Sequence, residues 1–126
     1  MTEIVHISIG ELWDKYSILL IKKERITDPD KLHFIHLEID ILNKNMNKYT
    51  YLNNQLFIDL KRINEQLWDI EDNIRIKELN KEFDDEFISL ARNVYRVNDE
   101  RANCKQNVNN SFGSQINEVK SYTKYK

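Results

Sequence analysis

The sequence predicts an all-α protein, a helical bundle of about four helices built on a long antiparallel coiled-coil-like hairpin. Three observations carry that expectation. Two glycines and one proline in 126 residues are too few breakers for a sheet with many turns. Apolar residues recur at steps of three and four, the period of a helix face. Ser8, Asp28 and Asp84 or Asp85 stand just ahead of these runs, and such side chains accept from the orphan amides of a first helical turn. The length fits one domain, residues 1–126.

Glu3 to Ile7 contains Ile4, Val5 and Ile7 and reads as a short extended lead-in. Ser8-Ile9-Gly10-Glu11 has the spacing of a capping box, which opens a first helix over 8–26 with Ile9, Leu12, Trp13, Tyr16, Leu19 and Leu20 on its apolar face. Asp28 before Pro29 combines an N-cap with proline at the first helical position and opens a second helix over 29–48. There Leu32, Ile35, Ile39, Leu42, Met46 and Tyr49 keep an a/d rhythm. Leu56, Leu60, Ile63, Leu67, Ile70 and Ile74 resume it in a third helix over 53–79, close to 40 Å long at 1.5 Å per residue. Two seams joined by a polar loop predict that the second and third helices form the hairpin. One unbroken helix through Thr50 is the alternative, and it needs a partner chain. A fourth helix over 84–109 carries Phe87, Leu90, Ala91, Val94 and Cys104, and a net-positive tail, 110–126, contains Tyr122 and Tyr125.

A formal charge of −2, from 19 basic and 21 acidic side chains, gives no long-range field for nucleic acid or an anionic membrane, so neither partner is expected. No run approaches the roughly 18 apolar residues of a membrane span, and the start lacks a basic segment followed by an apolar one. The lone Cys104 cannot close an intrachain disulfide. Together these predict a soluble cytoplasmic protein in a reducing compartment. No cofactor is expected, because Gly10 and Gly113 form no phosphate-cradling loop. No metal is expected either: His33 and His36 sit at i and i+3 but lack a third ligand in pattern.

Three dense polar clusters invite a site. They are Asp14-Lys15 with Lys22 to Arg25, Trp68 to Asp72 with Arg75, and Tyr95 to Asp99 with Arg101. Surface ion pairs at helical spacing explain most such clusters, at about 0.3–0.5 kcal/mol each. Trp68 and Tyr95 add aromatic bodies to the charges and give a binding role more weight than charge alone would, beside the surface-pair explanation. The candidate ligand-binding set is Lys15, Lys22, Arg25, Trp68, Asp69, Asp72, Arg75, Tyr95, Asn98, Asp99 and Arg101. The third and fourth helices should bring most of these together, with Arg75 facing Asp99 or Asp72 facing Arg101. Glu11-x-x-Asp14 and Glu82-x-x-Asp85 supply two E-x-x-D units, but the chain has no E-x-x-E unit, which speaks against a magnesium-dependent helical pyrophosphohydrolase.

The run Ile9-Gly10-Glu11-Leu12-x-Asp14-Lys15-x-Ser17-Ile18-Leu19, with Asn64-Glu65-x-Leu67-Trp68-Asp69-Ile70-Glu71-Asp72 and Leu90-Ala91-Arg92-x-Val94-Tyr95-Arg96-x-Asn98-Asp99-x-Arg101-Ala102, resembles a family of short all-helical bacterial and marine-phage proteins catalogued as a domain of unknown function. The resemblance extends through Gly113-Ser114 and Glu118-x-Lys120-Ser121-Tyr122 and omits the segment between Asp28 and Leu60. It implies no activity, substrate or cofactor.

The expected role is a non-enzymatic interaction module that self-associates, because Phe34, Leu37, Ile41, Phe57 and Ile58 fall off the main seam and need cover. The alternative is a pocket, or a small enzyme, for an anionic metabolite such as a sugar phosphate or nucleotide sugar. Lys15, Lys22, Arg25 and Arg75 would then neutralise the anion, and Asp69, Asp72 or Asp99 would orient cations or move a proton.

Overall fold

The structure, a computed structural model, describes residues 1–126 and contains four helices: α1 (Ile9–Arg25), α2 (Pro29–Met46), α3 (Gln55–Leu79) and α4 (Asp85–Phe112). Three starts are capped by the residues the sequence marks, and the structure adds Asn54 as the cap of α3. Ser8 Oγ accepts from Glu11 N at 3.0 Å, and Asp28 accepts from the amides of Asp30 and Lys31 ahead of Pro29. Asn54 caps α3 and Asp84 caps α4, each accepting one amide at 2.9 Å. Met1–Ile7 is exposed and forms no strand. The polar segment between Met46 and Gln55 breaks the chain into two helices, so the unbroken helix does not form. α4 runs three residues beyond Asn109 because nothing stops it before Gly113, whose left-handed φ of 63° lets Ser114 N reach Asn109 O at 2.9 Å.

The long antiparallel hairpin is present, but α3 and α4 form it. A tight turn with Lys81 in the left-handed region joins them, and the amides of Lys81 and Glu82 close on the carbonyls of Glu78 and Lys77. α1 lies on this hairpin, and α2 packs on α1 alone. The expected pairing of α2 with α3 is therefore replaced: α2 turns to α1, and α3 divides its inner face between α4 and α1. The reason lies in α1 itself. Leu12, Trp13, Asp14, Tyr16, Ser17, Leu19 and Ile21 are all buried, so α1 is covered around most of its circumference and takes the centre.

One apolar cluster holds the bundle together, built from Leu12, Trp13, Tyr16 and Leu19 of α1 with Ile35, Ile39 and Met46 of α2, Phe57 and Leu60 of α3, and Val108 of α4. Trp13 is fully buried and meets Tyr49, Phe57 and Phe112 edge-on at centroid distances of 6.2, 5.7 and 5.2 Å. Phe57 belongs to this core and not to an exposed face, because the turn into α3 aims it back beneath Trp13 and Tyr16. Burial and a hydrogen bond with Tyr51 push the Tyr16 hydroxyl well above the ordinary tyrosine range. The core occupies only one end of the hairpin. From Trp68 to Cys104 no residue is buried, so the last part of α3 and the first part of α4 project past the end of α1 as a two-helix arm. Ten residues of α3 beyond Asp69 make that projection about 15 Å long. No helix is long and apolar enough to cross a membrane.

Candidate functional site

The polar residues of α1 face inward between α3 and α4. Asp14 is 1% exposed, and its carboxylate accepts three hydrogen bonds. Asn64 Nδ2 donates to Oδ1 at 3.0 Å, Arg101 Nε donates to Oδ1 at 2.8 Å, and Arg101 Nη2 donates to Oδ2. Asn64 Nδ2 also reaches Ser17 Oγ at 2.8 Å, and that hydroxyl donates to the Asp14 carbonyl at 2.7 Å. An isolated carboxylate this deep would be prohibitive, whereas a bidentate guanidinium with an amide partner satisfies it. The Asp14 carboxylate in turn raises the Arg101 pKa, against the opposing effect of burial.

One turn further along α4, Lys105 Nζ is nearly buried between Glu11 Oε2 at 2.8 Å and Glu118 Oε2 at 2.7 Å. Burial works against the ammonium, yet the two carboxylates outweigh it and lift its pKa above the ordinary lysine value. Glu11 serves Lys105 instead of turning back to close the expected capping box. Glu118 belongs to the tail, and Lys105, then Lys120 at 3.2 Å, hold its carboxyl below the usual range.

α1 and α4 approach most closely at Gly10. Its amide donates to Asn109 Oδ1 at 2.6 Å, and a Cβ there would overlap the Lys105 carbonyl oxygen and the Asn109 side chain. Gly10→Ala should therefore cost about 1–3 kcal/mol, the range for overpacking against backbone that cannot give. Gly113→Ala, with open space around its Cβ, should cost only the smaller penalty of a left-handed alanine. Urea melts of the two variants check the difference.

Two hollows flank this network. One, of about 230 Å³, is lined by Lys15, Ile18, Lys22, Glu38, Glu11 and Arg101 among others. The second, of about 210 Å³, shares Glu11 and Arg101 and adds Asn98, Lys105, Glu118 and Lys120.

Of the sequence-predicted residues, Lys15, Lys22, Asn98 and Arg101 border these hollows. The others stand elsewhere. Arg25 pairs with Asp69 at 2.5 Å and sits 5.8 Å from the Trp68 ring centroid, an exposed group at the end of α1. Asp72 is exposed and engages no partner, while Arg75 pairs with Glu71 on its own helix. Asp99 accepts from the Tyr125 hydroxyl at 2.7 Å, and Tyr95 meets the Tyr125 ring edge-on at 4.9 Å.

Neither Arg75–Asp99 nor Asp72–Arg101 forms, and the eleven residues do not converge. The turn sets the register: Lys77 reaches Asp84 and Glu86 across it, and Asn64 and Arg101 share one carboxylate. Arg75 then lies opposite the first turns of α4, about 15 Å of helix short of Asp99.

Asp14, Ser17, Asn64, Lys105, Asn109, Glu11 and Glu118 were not among the predicted site residues. A signal existed for part of the network. In α4 the seam Leu90, Val94, Val97, Arg101, Cys104, Val108 steps by four and three, so Arg101 takes an inward position. Asp14 and Ser17 likewise lie among the apolar positions Trp13, Ile18 and Ile21 of the first helix.

Fold and site define a small all-α protein whose central helix is pinned to an antiparallel hairpin by a buried carboxylate paired with a half-buried guanidinium. The chain belongs to a family of unknown function (DUF6165), whose model matches residues 3–125. No curated protein and no solved structure matches it.

Proposed function

We propose that this protein is a self-associating helical interaction module whose contact surface is the α3–α4 arm of a second copy. The single observation that carries this reading is the arm's lack of a core. Ile76, Leu79, Phe83 and Ile88 are exposed, Leu79 at 81%, while Ile70, Ile74, Phe87 and Leu90 are only half covered. Two helices bury one seam between them and leave their flanks open, and a second pair of helices completes a four-helix, coiled-coil-like bundle. The charges favour an identical partner. Asp85 and Glu86 stand at the start of α4, and Arg92 and Arg96, seven to eleven residues on, are exposed without a carboxylate partner. Two arms packed antiparallel about a two-fold axis set each acidic end beside the other's arginines.

Sedimentation velocity at tens of micromolar, the range of a modest interface, should show a dimer. Leu79→Asp with Ile88→Asp should give a monomer that keeps the parent's helical circular-dichroism spectrum and melts independently of concentration. Arg92→Glu with Arg96→Glu should weaken the dimer about tenfold or more, and adding Asp85→Lys with Glu86→Lys should restore it. A strict monomer rejects the reading. Loss of the dimer on Leu37→Asp with Ile41→Asp, and not on arm variants, rejects the arm and transfers the contact to the exposed Phe34, Leu37 and Ile41 stripe of α2.

A cytoplasmic setting accords with the half-buried Cys104, whose thiol burial pushes above its ordinary pKa and keeps unreactive. No catalytic role is part of this reading.

A further inference from the structure

We propose that the hollow between α4 and the tail is a binding site for a phosphate monoester, and that Glu118 occupies it as an internal stand-in for the ligand. Residues 115–126 form no helix or strand and make no backbone hydrogen bond to the rest of the chain. Side chains alone hold them. Glu118 sits on Lys105 and Lys120, Asn117 accepts from Gln106 at 3.3 Å, and Tyr125 bonds Asp99. Val119 and Tyr122 are exposed, so the tail gains little from apolar burial. Lys105 is different. Its ammonium is nearly buried, and one of its two carboxylate partners, Glu11, is fixed on α1, while the other, Glu118, is held in place by side-chain contacts alone and can turn out of the hollow.

Charge selects the ligand class. Across the two hollows Lys15, Lys22, Arg101, Lys105 and Lys120 face Glu11, Asp14, Glu38 and Glu118. With Glu118 displaced, five cations face three carboxylates, and the excess of two matches the roughly −1.5 to −2 charge of a phosphate monoester. A monocarboxylate would only exchange like for like, against an intramolecular competitor at an effective concentration on the order of millimolar. Phosphate offers three acceptor oxygens to Lys105, Lys120 and the Asn98 amide, which share the hollow. The adjoining hollow, reached past Arg101, has room for the organic remainder.

Calorimetric titration of the full chain with inorganic phosphate and with phenyl phosphate, at constant ionic strength, tests the assignment. A Glu118 carboxylate seated in the hollow about nine-tenths of the time or more lowers apparent affinity about tenfold, so Glu118→Gln should bind phosphate about tenfold tighter than the parent chain. Lys120→Ala, whose side chain is more exposed and free of the core, should abolish that gain. Phosphate should also slow tryptic cleavage after Lys120 in the parent chain, because its oxygens hold that ammonium in the hollow, and sodium acetate should not. Equal affinity in the parent and Glu118→Gln overturns the proposal. So does an equal gain from Glu100→Gln, which removes one exposed carboxylate of α4 outside the hollow. Dimer-breaking arm variants leave these readouts unchanged, so the two proposals stand or fall separately.

Discussion

Arg101→Ala should lower the unfolding free energy by about 3–5 kcal/mol, whereas Asp72→Ala should stay within roughly 0.5 kcal/mol of the parent chain. The sequence puts both charges in dense polar clusters, and only their surroundings separate them. Removing Arg101 leaves the Asp14 carboxylate buried with the Asn64 amide as its remaining side-chain donor. That carboxylate must then be protonated, hydrated or exposed, and each route opens the contact of α1 with the hairpin. Asp72 is exposed and has no partner to strand. Urea unfolding with an unchanged m-value measures the difference, and a melting temperature lowered on the order of 10 °C should accompany it. A small effect at Arg101 would mean that water satisfies Asp14 and the pair is not a lock. The double replacement Asp14→Leu with Arg101→Met should recover most of the loss, because an apolar pair of similar volume carries no desolvation cost.

Trp13→Ala should be the most destabilising apolar truncation, at about 3–5 kcal/mol. Trp13 is the fully buried side chain on which three helices and the α2–α3 connection meet: Phe57 from α3, Phe112 from α4 and Tyr49 after α2 all present ring edges to it. These neighbours are large and fixed by their own helices, so they cannot collapse into the space an alanine leaves. Trp13→Phe should cost much less. It retains a ring for the edge contacts and removes an indole N–H that finds no protein acceptor. Chemical denaturation of the two variants gives the ratio, and equal losses would show that shape at this position matters more than volume.

The capping residues show how far local chemistry reaches. Ser8, Asp28 and Asp84 each satisfy amides within three residues along the chain, and Pro29 and Gly113 act through their own backbone. Helix number, order and length were therefore legible, to within three residues at every end. The apolar rhythm also named most of the core, since Leu12, Trp13, Tyr16, Ile35, Ile39, Leu60 and Leu67 face inward wherever the helices pack. A smaller part of the site was legible, in the same limited sense. The residue types at Lys15, Lys22, Asn98 and Arg101 announced a polar surface, but not what they would face.

Partnership across helices was decided only by the tertiary structure. Rhythm along α2 and α3 says that each has a seam, and two seams can meet each other or a third helix equally well. α1 takes the seam of α2 and shares that of α3 with α4, because its buried faces run around most of its surface. Similarly, the register of α4 on α3 follows from the five residues between them, and a shift of one turn would move every pairing by about 5.4 Å. Such a shift is enough to exchange Asp14 for another carboxylate as the partner of Arg101. What the sequence by itself determined, then, is whatever a residue does within four positions of itself: the caps, the breaks and the inward face of each helix. The buried Asp14–Arg101 pair, the Gly10 contact with α4 and the seat of Glu118 on Lys105 join residues 87, 99 and 13 positions apart, and only the packed chain brings them within bonding distance.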